Sequence, residues 1–138
     1  MSNWVTPVTD RNSGAWHTLT DQNRIAGNLD YLATGATAHQ LYTGPSITKT
    51  AYVYNDYVTV DNWANILEVL SALLEAFNLE GSADSTMAYT NINNVESLTL
   101  AVYNKYQLML SQSNANHYAG DDIYTENNLS PYVGGIAV

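Results

Sequence analysis

Apolar residues recur at helical spacing in three parts of the chain, and each run follows a short polar phrase rich in Asn. The phrases lie at 20–25, 61–66 and 90–95, and the apolar positions after them are Leu29 and Leu32, Leu70 and Leu73, and Leu98 and Val102. Thr or Asp opens each phrase, and these side chains accept hydrogen bonds from the unpaired N–H groups of a first helical turn. The pattern therefore predicts three helices, at about 20–34, 61–79 and 90–112.

The middle helix has the widest apolar face of the three. Trp63, Ile66, Leu70, Leu73 and Phe77 alternate at steps of three and four residues. Such a face indicates contacts on more than one side, so we expect this helix at the centre of the fold. Gly81 follows it and suits the left-handed position after a helix end. The predicted fold class is mainly α, a small three-helix bundle.

The segments outside the helices divide into a short hairpin and two arms. Two β-prone runs flank Asn55 and Asp56, which predicts a β-hairpin at 50–60. Residues 1–18 show no periodicity, and 113–138 are broken by Gly and Pro. We therefore expect an extended N-terminal arm at 1–18, a helical domain at 19–112, and a C-terminal arm at 113–138.

Both arms contain apolar residues that need cover. Two Trp on a structureless N-terminal arm would be costly to expose, so the arm docks either on its own core or on another subunit, and the sequence leaves both open. The apolar tip of the C-terminal arm suits insertion into a neighbouring copy as an added strand. The residues predicted to contact partners are Trp4, Val5, Pro7, Trp16, Arg24, Tyr103, Tyr132, Ile136 and Val138.

Composition narrows the classes of partner. The 138 residues carry a net charge of −9 with only four Lys plus Arg, which argues against nucleic acid and against an anionic membrane surface. Cysteine is absent, so disulfides, thiolate zinc sites and a cysteine nucleophile are excluded. Eleven Tyr and three Trp against one Phe favour an interface. No secretory signal opens the chain, and we expect synthesis in the cytosol.

Candidate chemistry is sparse. The three His are scattered, at 17, 39 and 117, and the acidic cluster at 121–126 lacks the alternating ligands of a calcium loop. The helix carboxylates Glu68, Glu75 and Glu96 are expected to remain in water, so none is marked as a general acid or base. We predict no metal, no cofactor and no enzymatic activity.

Two stretches of the chain resemble a known family. The opening Trp4-Val5-Thr6-Pro7-Val8-Thr9-Asp10-Arg11 and the helix start Thr20-Asp21-Gln22-Asn23-Arg24-Ile25 resemble the N-terminal region of tail-fibre and baseplate proteins from phages and prophages of Gram-positive bacteria. The likeness continues at 61–66 and 87–96 and spans roughly residues 4 to 103. It implies a virion structural role: a helical module that joins like subunits in a ring or trimer and attaches to other tail proteins.

This chain departs from the family pattern in two respects. Asn65 and Asn94 stand where Arg24 stands in the first phrase, and no fibre or receptor-binding domain follows within the 138 residues. These departures favour a tail, baseplate or collar adaptor in the virion. Two alternatives stay open. Tyr and Trp among Asn and Thr are also typical of a carbohydrate-binding or host-surface-binding module, and a small hydrolase is the third candidate.

Overall fold

The computed structural model describes residues 3–12, 16–79 and 92–122, with side chains up to residue 112. It contains helices α1 (Leu19–Ala38), α2 (Val60–Ala76) and α3 (Ile92–Asp122), which pack against each other as the predicted three-helix bundle. The chain divides into two units, Met1–Asn104 and Lys105–Val138. Everything described below as a site lies in the first unit.

The core contains the apolar stripes that the sequence predicts. Of the predicted stripe positions, Leu98 is half-buried, and those with 0–1% exposure include, on α1, Ile25, Leu29 and Leu32; on α2, Ile66, Leu70 and Leu73; and on α3, Val95 and Val102. Trp63 and Phe77 extend the buried face of α2 to both of its ends, at 7% and 2% exposure. The wide apolar face of α2 is therefore buried along its whole length.

The first two helices begin with the same capping box. The side chain of Thr18 accepts from the backbone N–H of Asp21, and the Asp21 carboxylate accepts from the backbone N–H of Thr18. Thr59 and Asn62 exchange the equivalent pair of bonds at the start of α2. A cap and its partner three residues later satisfy two of the free N–H groups of the first turn. Because the caps are Thr18 and Thr59 and not the predicted Thr20 and Asp61, each helix starts one residue before the predicted position.

The ends of α1 and α2 also share one design. Gln40 and Asn78 have left-handed backbones, with φ of 61° and 56°, immediately after the capping residue. The next N–H in each case reaches back across the last turn, from Leu41 to the Ala36 carbonyl and from Leu79 to the Leu74 carbonyl. These Schellman motifs terminate the helices. They end α1 four residues later and α2 three residues earlier than predicted; Gly81 lies outside the described residues.

The predicted β-hairpin at 50–60 is wrong. A turn is present, since the Asp56 N–H donates to the Val53 carbonyl and Asn55 has the positive φ of 78° that a type II turn requires. No strand occurs among the described residues. The reason is that the backbone groups needed for a ladder are used elsewhere: Asn23 accepts from the Tyr52 N–H, and Asp56 accepts from the Val53 N–H.

Helix α3 corrects the predicted boundary of the C-terminal arm. It continues through Asn114 and Asn116, where the sequence predicts a break, and ends at Asp122. Asn lowers helix stability by only a few tenths of a kcal/mol relative to most residues, roughly 0.7 kcal/mol at most relative to Ala, so two of them do not stop an established helix. Residues 123–138 lie outside the described residues.

Four helix asparagines fasten the non-helical segments to the bundle. Each side chain uses its amide nitrogen and oxygen together to pair with backbone groups of an extended segment, as a neighbouring strand would. Asn28 holds Val5, Asn23 holds Tyr52, Asn93 holds Arg11, and Asn65 holds Ser46 and Thr48. We call these four residues the asparagine clasps. They satisfy backbone polar groups that would otherwise lose water on docking.

Candidate functional site

The N-terminal arm docks on its own bundle. The indole of Trp4 stacks on the ring of Tyr103 with centroids 3.9 Å apart and planes 6° from parallel, and Tyr31 lies beside both rings. Pro7 is buried, and Asn28 pairs with both backbone groups of Val5, at 2.9 and 2.7 Å. Of the two docking modes that the sequence leaves open, the single chain therefore contains the intramolecular one.

A buried group of four charged side chains completes this attachment. Arg11 from the arm, Asp21 and Arg24 from α1, and Glu96 from α3 form what we call the quartet. Arg24 donates to Glu96 through Nε at 2.8 Å and Nη2 at 2.9 Å, and to Asp21 at 2.5 Å. Arg11 donates to Asp21 at 2.7 Å and also contacts Glu96. Each side chain is at most 11% exposed, and that of Glu96 is 1% exposed.

The quartet is electrically balanced. Burial alone would raise the pKa of Asp21, but hydrogen bonds from Arg11, from the Thr18 backbone and from Arg24 outweigh it and hold that pKa well below its usual range. Hydrogen bonds to Glu96 and Asp21, against the opposing effect of burial, raise the pKa of Arg24. By formal charge, two arginines face two carboxylates, so the quartet has no net charge.

Three large apolar residues of the N-terminal arm are exposed. Val5 is 51% exposed and Val8 is 37% exposed, while Trp16, at the end of the arm next to α1, is 88% exposed. Trp4 and Pro7 face inward in the same segment. The arm thus separates into an inner set of residues that contacts the bundle and an outer set that is uncovered; we call Val5, Val8 and Trp16 the outer arm surface.

A second uncovered region is a groove of about 640 Å³ between the loop at 52–60 and the first residues of α1 and α2. We call it the aromatic groove. Nine large hydrophobic residues among those described are exposed, and five of them line this groove: Leu19, Val53, Tyr54, Tyr57 and Val60. Such a concentration of apolar surface is typical of a contact site.

The base of the aromatic groove is polar. The His17 Nε2 lies 2.6 Å from the Gln22 Oε1, and the His17 ring meets the Trp63 ring edge to face at 5.9 Å between centroids. Burial lowers the pKa of His17, so the ring is neutral at pH 7 and its Nε2–H donates to Gln22. Gln22 is 1% exposed, and its amide nitrogen has no hydrogen-bond partner within the described part of the chain.

The rim of the aromatic groove is formed by the turn at Val53–Asp56. Tyr54 and Tyr57 are each 85% exposed. The loop beneath them is anchored, because Asn23 clasps Tyr52 and the Asp56 carboxylate accepts from the Val53 N–H at 2.8 Å. Lys49 pairs with Asp56 at 3.2 Å. The loop that bears the two exposed rings is therefore held to α1 at Tyr52, and its turn is closed by its own hydrogen bonds.

The predicted partner residues divide into three groups. Trp4, Pro7 and Tyr103 contact the chain's own bundle, and Arg24 is fully engaged in the quartet. Val5 and Trp16 are exposed and available to a partner. The remaining three, Tyr132, Ile136 and Val138, lie outside the described residues. Their roles in partner binding stay predictions.

Sequence reasoning missed the quartet and the aromatic groove. It placed Glu96 in water, which is wrong, whereas Glu68 and Glu75 are exposed as expected. A signal was present: Glu96 follows Val95 on the apolar side of α3, where a carboxylate needs a buried cation. The spacing from Thr18 to Asp21 fits a capping box, although the helix start was predicted at Thr20. No sequence signal linked either residue to Arg11.

Comparisons with known proteins leave the family open. No family model matches the chain, and neither the curated proteins nor the solved structures contain a significant match.

Within the described residues, no group of three or more His, Asp or Glu is placed to hold a metal ion. None of the described helices combines the length and apolarity needed to span a bilayer.

Proposed function

We propose that this protein is a non-enzymatic structural component of a phage virion, an adaptor of the tail, baseplate or collar that assembles with copies of itself and with other tail proteins. The first support is the sequence resemblance, and the structure gives its residues a shared physical role. Within the opening element, Arg11 pairs with Asp21 of α1, which also binds Arg24, and Trp4 lies beside Tyr31 of the same helix. The two resembling stretches thus form one interlocked unit.

The observation that carries the proposal is the outer arm surface. Trp16 is 88% exposed, and Val5 and Val8 are uncovered on the same arm. The quartet and the Asn28 clasp fix the arm at Arg11 and Val5, so Val5 and Val8 are presented on an anchored backbone and their binding would cost little ordering entropy. Neighbouring copies would cover them in a closed ring or trimer. Symmetric repetition then strengthens contacts that are individually weak.

The C-terminal residues have a part in the same proposal. Tyr132, Ile136 and Val138 would be exchanged between copies, each apolar tip filling a site on a neighbour. Their contribution is separable from that of the outer arm surface by truncation after Asp122. We expect the truncated chain to form a smaller or weaker oligomer while the far-UV circular dichroism of the bundle is retained.

The test is the mass of the full-length protein by size-exclusion chromatography with light scattering. We expect one defined oligomer, and we expect Trp16→Ser to shift it towards the monomer. The matched control is Leu108→Ser, which removes an exposed apolar residue of α3 and should leave the mass unchanged. A wild-type protein that is monomeric at all concentrations would contradict the proposal, as would phage particles of the source strain that lack the protein in immuno-electron microscopy.

A further inference from the structure

The aromatic groove has the dimensions of a small-ligand site and lies apart from the outer arm surface. Its volume of about 640 Å³ falls within the range of roughly 300–1,000 Å³ that small-molecule sites occupy. None of Val5, Val8 and Trp16 lines it. Assembly through the outer arm surface would therefore leave Tyr54, Tyr57 and their apolar neighbours uncovered.

The buried amide of Gln22 points to a ligand that accepts hydrogen bonds. Its oxygen is already paired with His17 at 2.6 Å, and its nitrogen has no partner among the described residues although the side chain is 1% exposed. A buried donor without an acceptor is destabilising by about 1–3 kcal/mol. Since Gln22 lines the groove, an oxygen of a bound molecule would supply the missing acceptor.

Charge in the groove favours a neutral molecule. Among the described lining residues only Asp56 is ionised at neutral pH, and its carboxylate already accepts from the Val53 N–H and pairs with Lys49. The chain as a whole carries a net charge of −9. An anionic ligand would therefore be repelled without any compensating cation in the lining, and a cation would find its counter-charge already neutralised.

The backbone of the loop argues against a peptide added as a strand. The N–H and carbonyl of Tyr52 are held by Asn23, and the N–H and carbonyl of Val53 are bonded to Asp56. Strand addition requires an open backbone edge, which residues 52 and 53 do not offer. An amphipathic helix laid in the groove would instead cover Gln22 with apolar side chains and leave its donor unpaired.

We infer that the aromatic groove binds a neutral saccharide. The apolar C–H face of a sugar ring would stack on the exposed rings of Tyr54 and Tyr57, and a hydroxyl or acetamido oxygen would accept the hydrogen bond from Gln22. Thr18 and Thr59 offer hydroxyls to the remaining hydroxyls of the sugar, because both residues are exposed and line the groove. A neutral saccharide would therefore cover the apolar rim, place no charge against the lining, and supply an acceptor for the unpaired Gln22 donor.

The experiment is a glycan array of neutral and charged oligosaccharides, followed by calorimetric titration of the full-length protein with cellotriose, triacetylchitotriose and trigalacturonate. We expect binding of at least one neutral glycan and weaker or absent binding of the acidic trisaccharide. Tyr54→Ser and Tyr57→Ser should each weaken binding about fivefold to tenfold, since each removes one stacking face. Gln22→Met should weaken it about fivefold by removing the donor.

Trp16→Ser is the matched control, because it removes an exposed aromatic residue that does not line the groove. Saccharide binding should be unchanged in this variant even if its oligomer dissociates, so the inference and the proposed assembly can fail separately. An array without any neutral glycan bound would overturn the inference. Glycan binding that persists in the folded Tyr54→Ser, Tyr57→Ser double variant would also overturn it. A third contradicting result is a wild-type protein that binds no glycan together with a double variant whose oligomer dissociates.

Discussion

Removing Glu96 should destabilise the protein more than any other single change in the quartet. In Glu96→Ala, Arg11 and Arg24 remain 9% exposed with only Asp21 to neutralise them, so one positive charge is left buried and unpaired. The Val8 N–H also loses its acceptor, at 3.3 Å in the wild type. Breaking a buried ion pair in this way costs about 3–5 kcal/mol of unfolding free energy.

The measurement is guanidinium unfolding of wild type and variant, followed by far-UV circular dichroism. The expected loss corresponds to a fall in the thermal midpoint of roughly 10–20 °C for a domain of this size. Glu75→Ala is the control, because that side chain is exposed on α2 and its removal should change the unfolding free energy by less than about 0.5 kcal/mol. A loss below about 1 kcal/mol in Glu96→Ala would refute the reasoning.

A double variant separates two contributions to the lost unfolding free energy, one from unpaired buried charge and one from lost contacts. Glu96→Met alone leaves a net charge of one in the quartet, whereas Glu96→Met with Arg11→Met leaves the neutral pair of Asp21 and Arg24. If uncompensated charge dominates, the double variant is less destabilised than the sum of the two single variants, by about 1–3 kcal/mol of coupling. Additive effects would show instead that each side chain acts through its own contacts.

Two further outcomes are expected. Asn28→Ala should lower the unfolding free energy by about 1–2 kcal/mol and increase proteolysis of the arm, because both hydrogen bonds to Val5 are lost; unchanged stability and proteolysis would contradict this. Stability should also fall on acidification in two stages. The pKa of His17 is lowered by burial, so its contribution is present above pH 6.5 and lost as the pH falls through the lower folded value. The pKa of Asp21 is lowered by its hydrogen bonds, despite the opposing effect of burial, so its contribution is lost below about pH 4. Urea unfolding at pH 7, 5 and 3 measures both stages; His17→Gln should remove the first, whereas His39→Gln, at an exposed position, should retain it.

The helices were predictable because their signals are local. Capping residues and apolar spacing involve neighbours within one or two turns, and they identify α1 and α2 to within a few residues. The errors arose where a local signal had two interpretations. The predicted end of α1 at residue 34 is wrong because a helix end depends on which carbonyls the next N–H groups reach, and the Schellman motif forms at Gln40.

The contacts that join distant segments were not predictable from one sequence. The quartet brings Arg11 next to Glu96 across 85 residues, and Asn93 reaches back to the backbone of Arg11 across 82. Nothing in the spacing of these residues encodes their pairing. The hairpin prediction failed for the same reason, because Asn23 competes for the backbone of Tyr52 from a helix 29 residues away.

The asparagine clasps recognise peptide groups, not side chains, and this has a consequence for how tolerant the protein is to change. Asn23 would hold any non-proline residue at position 52 equally well through its N–H and carbonyl. The side chains of Tyr54 and Tyr57 take no part in this anchoring, whereas Asn55 and Asp56 shape the turn through a positive φ and a carboxylate that accepts from the Val53 N–H. Mutational libraries confined to positions 54 and 57 could replace both exposed rings while the scaffold beneath retains its stability, so that affinity for a target can be varied independently of folding.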